Sequence, residues 1–185
     1  MTATRTSQSF GPPAGVAPAA SLGASSAASL VEQIRDSMGE QWLPCIYIER
    51  IMPMRTRSHK LEAATRQDRV LVQHTLLGIE LQVGRKRMLC PDLATARYLS
   101  VFARAGCTEV AVPYDITRIS VLADELESSW HRMLLLVEHL GDARSAGFRS
   151  RVRSMLTARV REEIGAAGAG TAIPKFNQNT RQRRG

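Results

Sequence analysis

The sequence predicts an α+β domain, a small and mostly antiparallel sheet covered by helices and completed by a C-terminal antiparallel helical hairpin. Three observations carry that expectation. Between Pro113 and Leu140, Ile119, Leu122, Leu126, Trp130, Met133, Val137 and Leu140 recur at steps of three and four, which lines one face of a long helix. Val70, Val72 and His74, then Leu77, Ile79, Leu81 and Val83, alternate as half-buried strands do. A second amphipathic stretch over 145–164 carries Phe148, Val152, Met155, Leu156, Val160 and Ile164. Only a short loop separates it from the first helix, so the two must fold back on each other.

The first thirty residues hold twenty Ala, Ser, Gly or Pro, one Arg and no acid. Such side chains cannot offset the entropy of ordering, and disorder is expected over 1–28. Pro12, Pro13 and Pro18 interrupt the apolar run that a secretory signal needs, which leaves an organelle-targeting segment as the alternative. Order is expected from Ser29, whose spacing to Glu32 makes a capping box. The helix that follows puts Leu30, Ile34 and Met38 on one face.

Pro44 introduces CIYIERIM, an apolar run with β-branched residues that reads as a strand, Cys45–Met52. Residues 53–68 are polar and basic without a period, and a long loop is expected there. A hairpin follows, with a bulge at Gly78, a turn at Gly84–Arg87 and a returning strand from Met88. Asp92 opens a helix that Gly106 closes, and residues 108–112 form a short strand. Asp115 caps the long helix and Gly141 ends it. The folded unit is thus a single α+β domain over 29–164, and residues 165–185 form a flexible basic tail.

With 185 residues the chain is long enough for one sizeable core. No apolar run approaches the eighteen or so residues that span a bilayer. Cys45, Cys90 and Cys107 are far apart and form no Cys-x-x-Cys pair, so neither a zinc knuckle nor a dithiol motif is present. Unpaired thiols suit a reducing compartment, and a cytoplasmic location is expected.

The charge is unevenly placed. Residues 143–185 hold ten Lys or Arg and two acids, and so carry the entire net charge of +8; residues 1–142 balance to zero. The candidate polyanion-binding residues are the hairpin tip Arg85, Lys86 and Arg87, the helix residues Arg149, Arg151, Arg153 and Arg161, and the tail residues Lys175, Arg181, Arg183 and Arg184. Arginine suits phosphate through its planar fork of donors. Aromatic platforms for base stacking are scarce, so contact with backbone phosphates is the mode expected. Arg159 falls inside the apolar stripe and calls for a carboxylate from Glu125 or Glu127. Asp124, Glu127 and His131 share one face of the long helix, the spacing of a metal site, but that face lies opposite the apolar stripe and a solvated surface explains it better. No nucleophile elbow, phosphate loop or clustered histidines occur.

The sequence therefore points to a non-enzymatic binding protein without a cofactor. It contacts nucleic acid, RNA before DNA, or another polyanion through its arginine-rich C-terminal helix and tail. The alternative is an assembly or regulatory factor whose helical hairpin and basic tail dock on an acidic protein partner. A metal-dependent enzyme using the acidic face comes third.

Overall fold

Residues 20–62, 69–141 and 144–170 are described by the computed structural model. In chain order they form α1 (Ala20–Met38), a single 3-10 turn (Gly39–Gln41), α2 (Leu43–Ile46) continuing into a π-helical turn (Tyr47–Ile51), and β1 (Thr56–Lys60). The strands β2 (Val70–Thr75), β3 (Gly78–Val83) and β4 (Lys86–Cys90) come next, then α3 (Leu93–Ala105), β5 (Glu109–Pro113), α4 (Ile116–Leu140) and α5 (Ala146–Ala167). The fold is α+β. None of the described helices is long and apolar enough to cross a membrane.

The strands make two antiparallel sheets rather than the single one expected. β2, β3 and β4 form a meander that packs on α3, with Thr75 opposite Gly78 and Val83 opposite Lys86. β1 pairs with β5, Thr56 opposite Pro113 and Lys60 opposite Glu109. The expected alternation holds only in part: Val70, Leu81, Val83 and Cys90 are buried, whereas His74 and Leu77 are exposed and Glu80, on the opposite phase of β3, is buried.

The helices earn their positions by stripe. On α4, Ile119, Leu122, Leu126, Trp130, Met133 and Val137 are buried, and Asp115 caps the helix by accepting from the Thr117 amide at 3.0 Å. On α5, Val152, Leu156, Val160 and Ile164 are buried at steps of four. Burying a side chain of this size stabilises the fold by about 1.5–3 kcal/mol before entropy is counted. Glu138 near the end of α4 pairs with Arg149 and Arg153 near the start of α5, the contact that an antiparallel pair of helices makes. Phe102 on α3 sits between two tyrosine rings, with centroids 5.5 Å away for Tyr47 and 5.1 Å for Tyr98. Both tyrosine hydroxyls reach Ala111 of β5: Tyr47 accepts from its amide at 2.8 Å and Tyr98 donates to its carbonyl at 2.6 Å.

Several expectations are corrected. The helix expected from Ser29 begins at Ala20, and Ser29 lies exposed within it, so no capping box forms. Alanine is the best helix former, and this helix is anchored by the buried Ala27, Val31, Ile34 and Met38. The expected strand Cys45–Met52 is helical through Ile51, with Met52 as its C-cap. Pro44 sits in the first turn of α2, where its missing N–H costs nothing, and Leu43, Ile46, Tyr47 and Ile51 are buried at helical spacing. The expected loop over 53–68 contains β1, which has hardly an apolar side chain and owes its order to pairing with β5. Gly78 is not a bulge: at φ +125° it opens β3 in regular register after a turn at Leu76–Leu77.

The expected tail is also shorter. α5 continues to Ala167, and the segment after it is seated: the Tyr47 hydroxyl donates to the Gly168 carbonyl at 2.7 Å. Gly170, at φ +83°, lies so close to β1 and β5 that an added Cβ would stand 2.5 Å from Thr56 Oγ1 and 3.2 Å from Ala111 Cβ. Residues 1–19 and 171–185 of the expected tails lie outside the described residues.

Candidate polyanion-binding surface

α5 is the element that carries the basic residues into place. Ser145 starts it by accepting from the Phe148 amide at 3.2 Å, a cap that fixes the first turn. The buried stripe then turns one side of the helix onto α1, α4 and α3, leaving the arginines at its flanks and back.

Those arginines divide by what they touch. Arg149 Nε lies 3.2 Å from Glu138, and its Nη1 donates to the Arg144 carbonyl at 2.9 Å. Arg153 pairs with the same Glu138. Two guanidinium groups thus share one carboxylate at the α4–α5 turn, and both are held as part of the fold. Arg159 does not reach Glu125 or Glu127. Its partners are Glu163 at 2.8 Å and Glu162 at 3.7 Å on its own helix. Glu163 also accepts from Trp42 Nε1 at 2.8 Å and lies 3.5 Å from Arg35 of α1, so it ties three elements together.

Arg151 and Arg161 are exposed and form no ion pair among the described residues. Arg161 lies over the end of α3, its Nη1 3.1 Å from where a Cβ on Gly106 would stand. A cation is favoured there by the free carbonyls of the helix end. Arg144 stacks on the Phe148 ring, 5.5 Å from the centroid. Arg144, which the candidate set omits, therefore joins Arg151 and Arg161 as the cations that α5 and its cap leave to solvent. Its signal in the sequence is its spacing of four from Phe148.

The hairpin tip forms a separate patch. Arg85 is exposed; Lys86 is 2.5 Å from Glu62, and Arg87 is 3.8 Å from Glu80. The Gly84 amide donates to the Arg69 carbonyl at 3.0 Å, which brings Arg69 beside Arg85 around an open cavity of about 340 Å³. Arg69 is sixteen residues from Arg85 in sequence and only the sheet register reveals it. The meander and α5 both pack on α3, and among the described residues the tip cations Lys86 and Arg87 pair with Glu62 and Glu80 rather than with any residue of α5. Lys175, Arg181, Arg183 and Arg184 lie outside the described residues.

The alternative metal face is occupied by a cation of the protein's own. Arg97 of α3 sits 2.8 Å from Asp124 and 2.5 Å from Glu127. The hydrogen bond to Glu127, then that to Asp124, raises the pKa of this guanidinium. His131 is exposed, and no group of three metal-ligating side chains is gathered among the described residues. Set against protein-family models, curated proteins and solved structures, the chain matches none of them.

Proposed function

We propose that this protein is a non-enzymatic binder of a polyanion, RNA first, that grips backbone phosphates with the outer face of α5 and the residues beyond it. The observation that carries the reading is the charge: all of the net +8 falls in residues 143–185, and three arginines at α5 (Arg144, Arg151 and Arg161) remain outside ion pairs among the described residues. Arg149 and Arg153, bound to Glu138, contribute field rather than direct contact. Three thiols without a disulfide fit a reducing, cytoplasmic setting.

The test is retention of labelled RNA and of duplex DNA across a salt series. Deleting residues 174–185 removes four of the cations, and the slope of log affinity against log salt should become shallower by up to about one unit per lost phosphate contact. A full-length protein that retains neither nucleic acid at low salt overturns the reading. The second reading, docking on an acidic protein, is favoured by Leu135 on α4, 68% exposed and one turn before Glu138, whose partners are the α5 cations Arg149 and Arg153. A pulldown whose partners survive nuclease treatment would select it.

A further inference from the structure

Two cavities meet at the ion pair between Arg50 and Glu125, on the side of α4 that faces the π-helical turn. The larger, about 670 Å³, has Pro53, Met54, Val121 and Leu122 in its wall, with Glu49 at its rim. The smaller, about 370 Å³, is lined by Glu40, Gln41, Ile46, Asp124 and Ser128. They make one groove that is apolar at the Met54 end and acidic toward Glu40.

Its charge is not balanced from within. Arg50 is taken by Glu125, Arg118 by Asp115, and Asp124 by Arg97, whereas Glu40 and Glu49 form no ion pair among the described residues. Glu125 Oε2 is buried without a hydrogen-bond partner. Val121 leaves 60% of its surface open. Such a groove suits a segment that offers bulky apolar side chains first and cations after them.

The chain itself supplies that segment in that order. Residues 171–185 begin with Ile173 and Phe176 around Lys175, continue to Arg181, Arg183 and Arg184, and contain no acid. They also begin in the right place. Gly170 is seated on Thr56, and Thr56 follows Met54 by two residues, a span of about 7 Å of extended chain. Fifteen residues reach about 50 Å, more than the groove requires. We infer that residues 171–185 dock into this groove of their own chain, with Ile173 and Phe176 against Met54 and Val121 and the cations along Glu49, Glu125 and Glu40. A polyanion must compete with the groove for these four charges, and the contact stands whether or not the function proposed above does.

A zero-length carbodiimide, which joins an amine to a carboxylate in contact with it, tests this on the full-length protein without nucleic acid. Unlabelled and isotope-labelled copies are mixed so that links within and between copies differ in mass. Lys175 should link to Glu49, Glu125 or Glu40 within one copy. The link between Lys86 and Glu62, already 2.5 Å apart, reports the reagent's efficiency and an intact fold. Val121→Arg and Phe176→Ser should each reduce the groove links at least several-fold while the Lys86 link persists. Lys175 links confined to acids outside the groove, links only between copies, or groove links that neither variant alters would overturn the inference.

Discussion

Cys107 shows how far a single side chain can set the behaviour of the fold. Burial lifts its thiol from the ordinary 9.0 up to about 12, with Arg161 opposing the rise. Between these values the folded chain keeps a proton that the unfolded chain has released, so stability falls as pH rises through that window and is unaffected below it. The loss amounts to at most about 1.4 kcal/mol per pH unit from this one group, and Tyr47 and Tyr98, also raised by burial, add to it higher up. Cys107→Ala should therefore flatten the fall of the urea midpoint above about pH 9, whatever it does to the midpoint itself; parallel curves for the two proteins would show that the thiol is not protected. At this scale the sequence was readable where a side chain is apolar and less so where it is charged. Trp130 is 2% exposed, as its place in the stripe requires. The apolar stripe points Arg159 to a partner on another helix, but carboxylates at i+3 and i+4 on its own helix are nearer before any tertiary structure forms.

Among the elements, α3, α4 and α5 were legible because each combines a long period with a cap or a breaker, and β5 because a short run with two valines lies between Gly106 and Pro113. The stretch 43–51 was not. Its apolar residues satisfy a period of two and a period of three to four equally well, and only burial on the helical face decides. β1 was invisible for the opposite reason, since a strand of polar residues is specified by its partner rather than by itself. The α4–α5 turn yields a prediction that separates fold from function. Glu138 is part-exposed, so each of its pairs with Arg149 and Arg153 contributes only about 0–1 kcal/mol. Glu138→Gln should lower stability slightly and yet tighten RNA binding at low salt, because it releases two arginines on the proposed face. Unchanged affinity would mean that this end of α5 faces away from the ligand.

For the molecule as a whole, the charge asymmetry could be counted from the sequence, but its division into two patches could not, because that depends on which helix lies under the meander. The end of the folded unit is also hard to read from sequence, since a glycine-rich stretch looks flexible until something packs on it. Gly165 and Gly170 offer the check. Gly165 is exposed within α5 and an added Cβ meets nothing, so Gly165→Ala should stabilise by about 0.5–1 kcal/mol. Gly170 has a positive φ and two neighbours in the way, so Gly170→Ala should destabilise by about 1–3 kcal/mol. Equal denaturation midpoints for the two variants would mean that the chain is not seated at Gly170. The tyrosine contacts at Ala111 have a consequence for the molecule in a crowded solution. Ala111 turns its amide and carbonyl away from β1, to the outer edge of β5, where another chain could add a strand. Both groups are already satisfied by hydroxyls, and Pro113 on the same edge has no amide to offer, so β5 cannot serve as a template for intermolecular sheet growth.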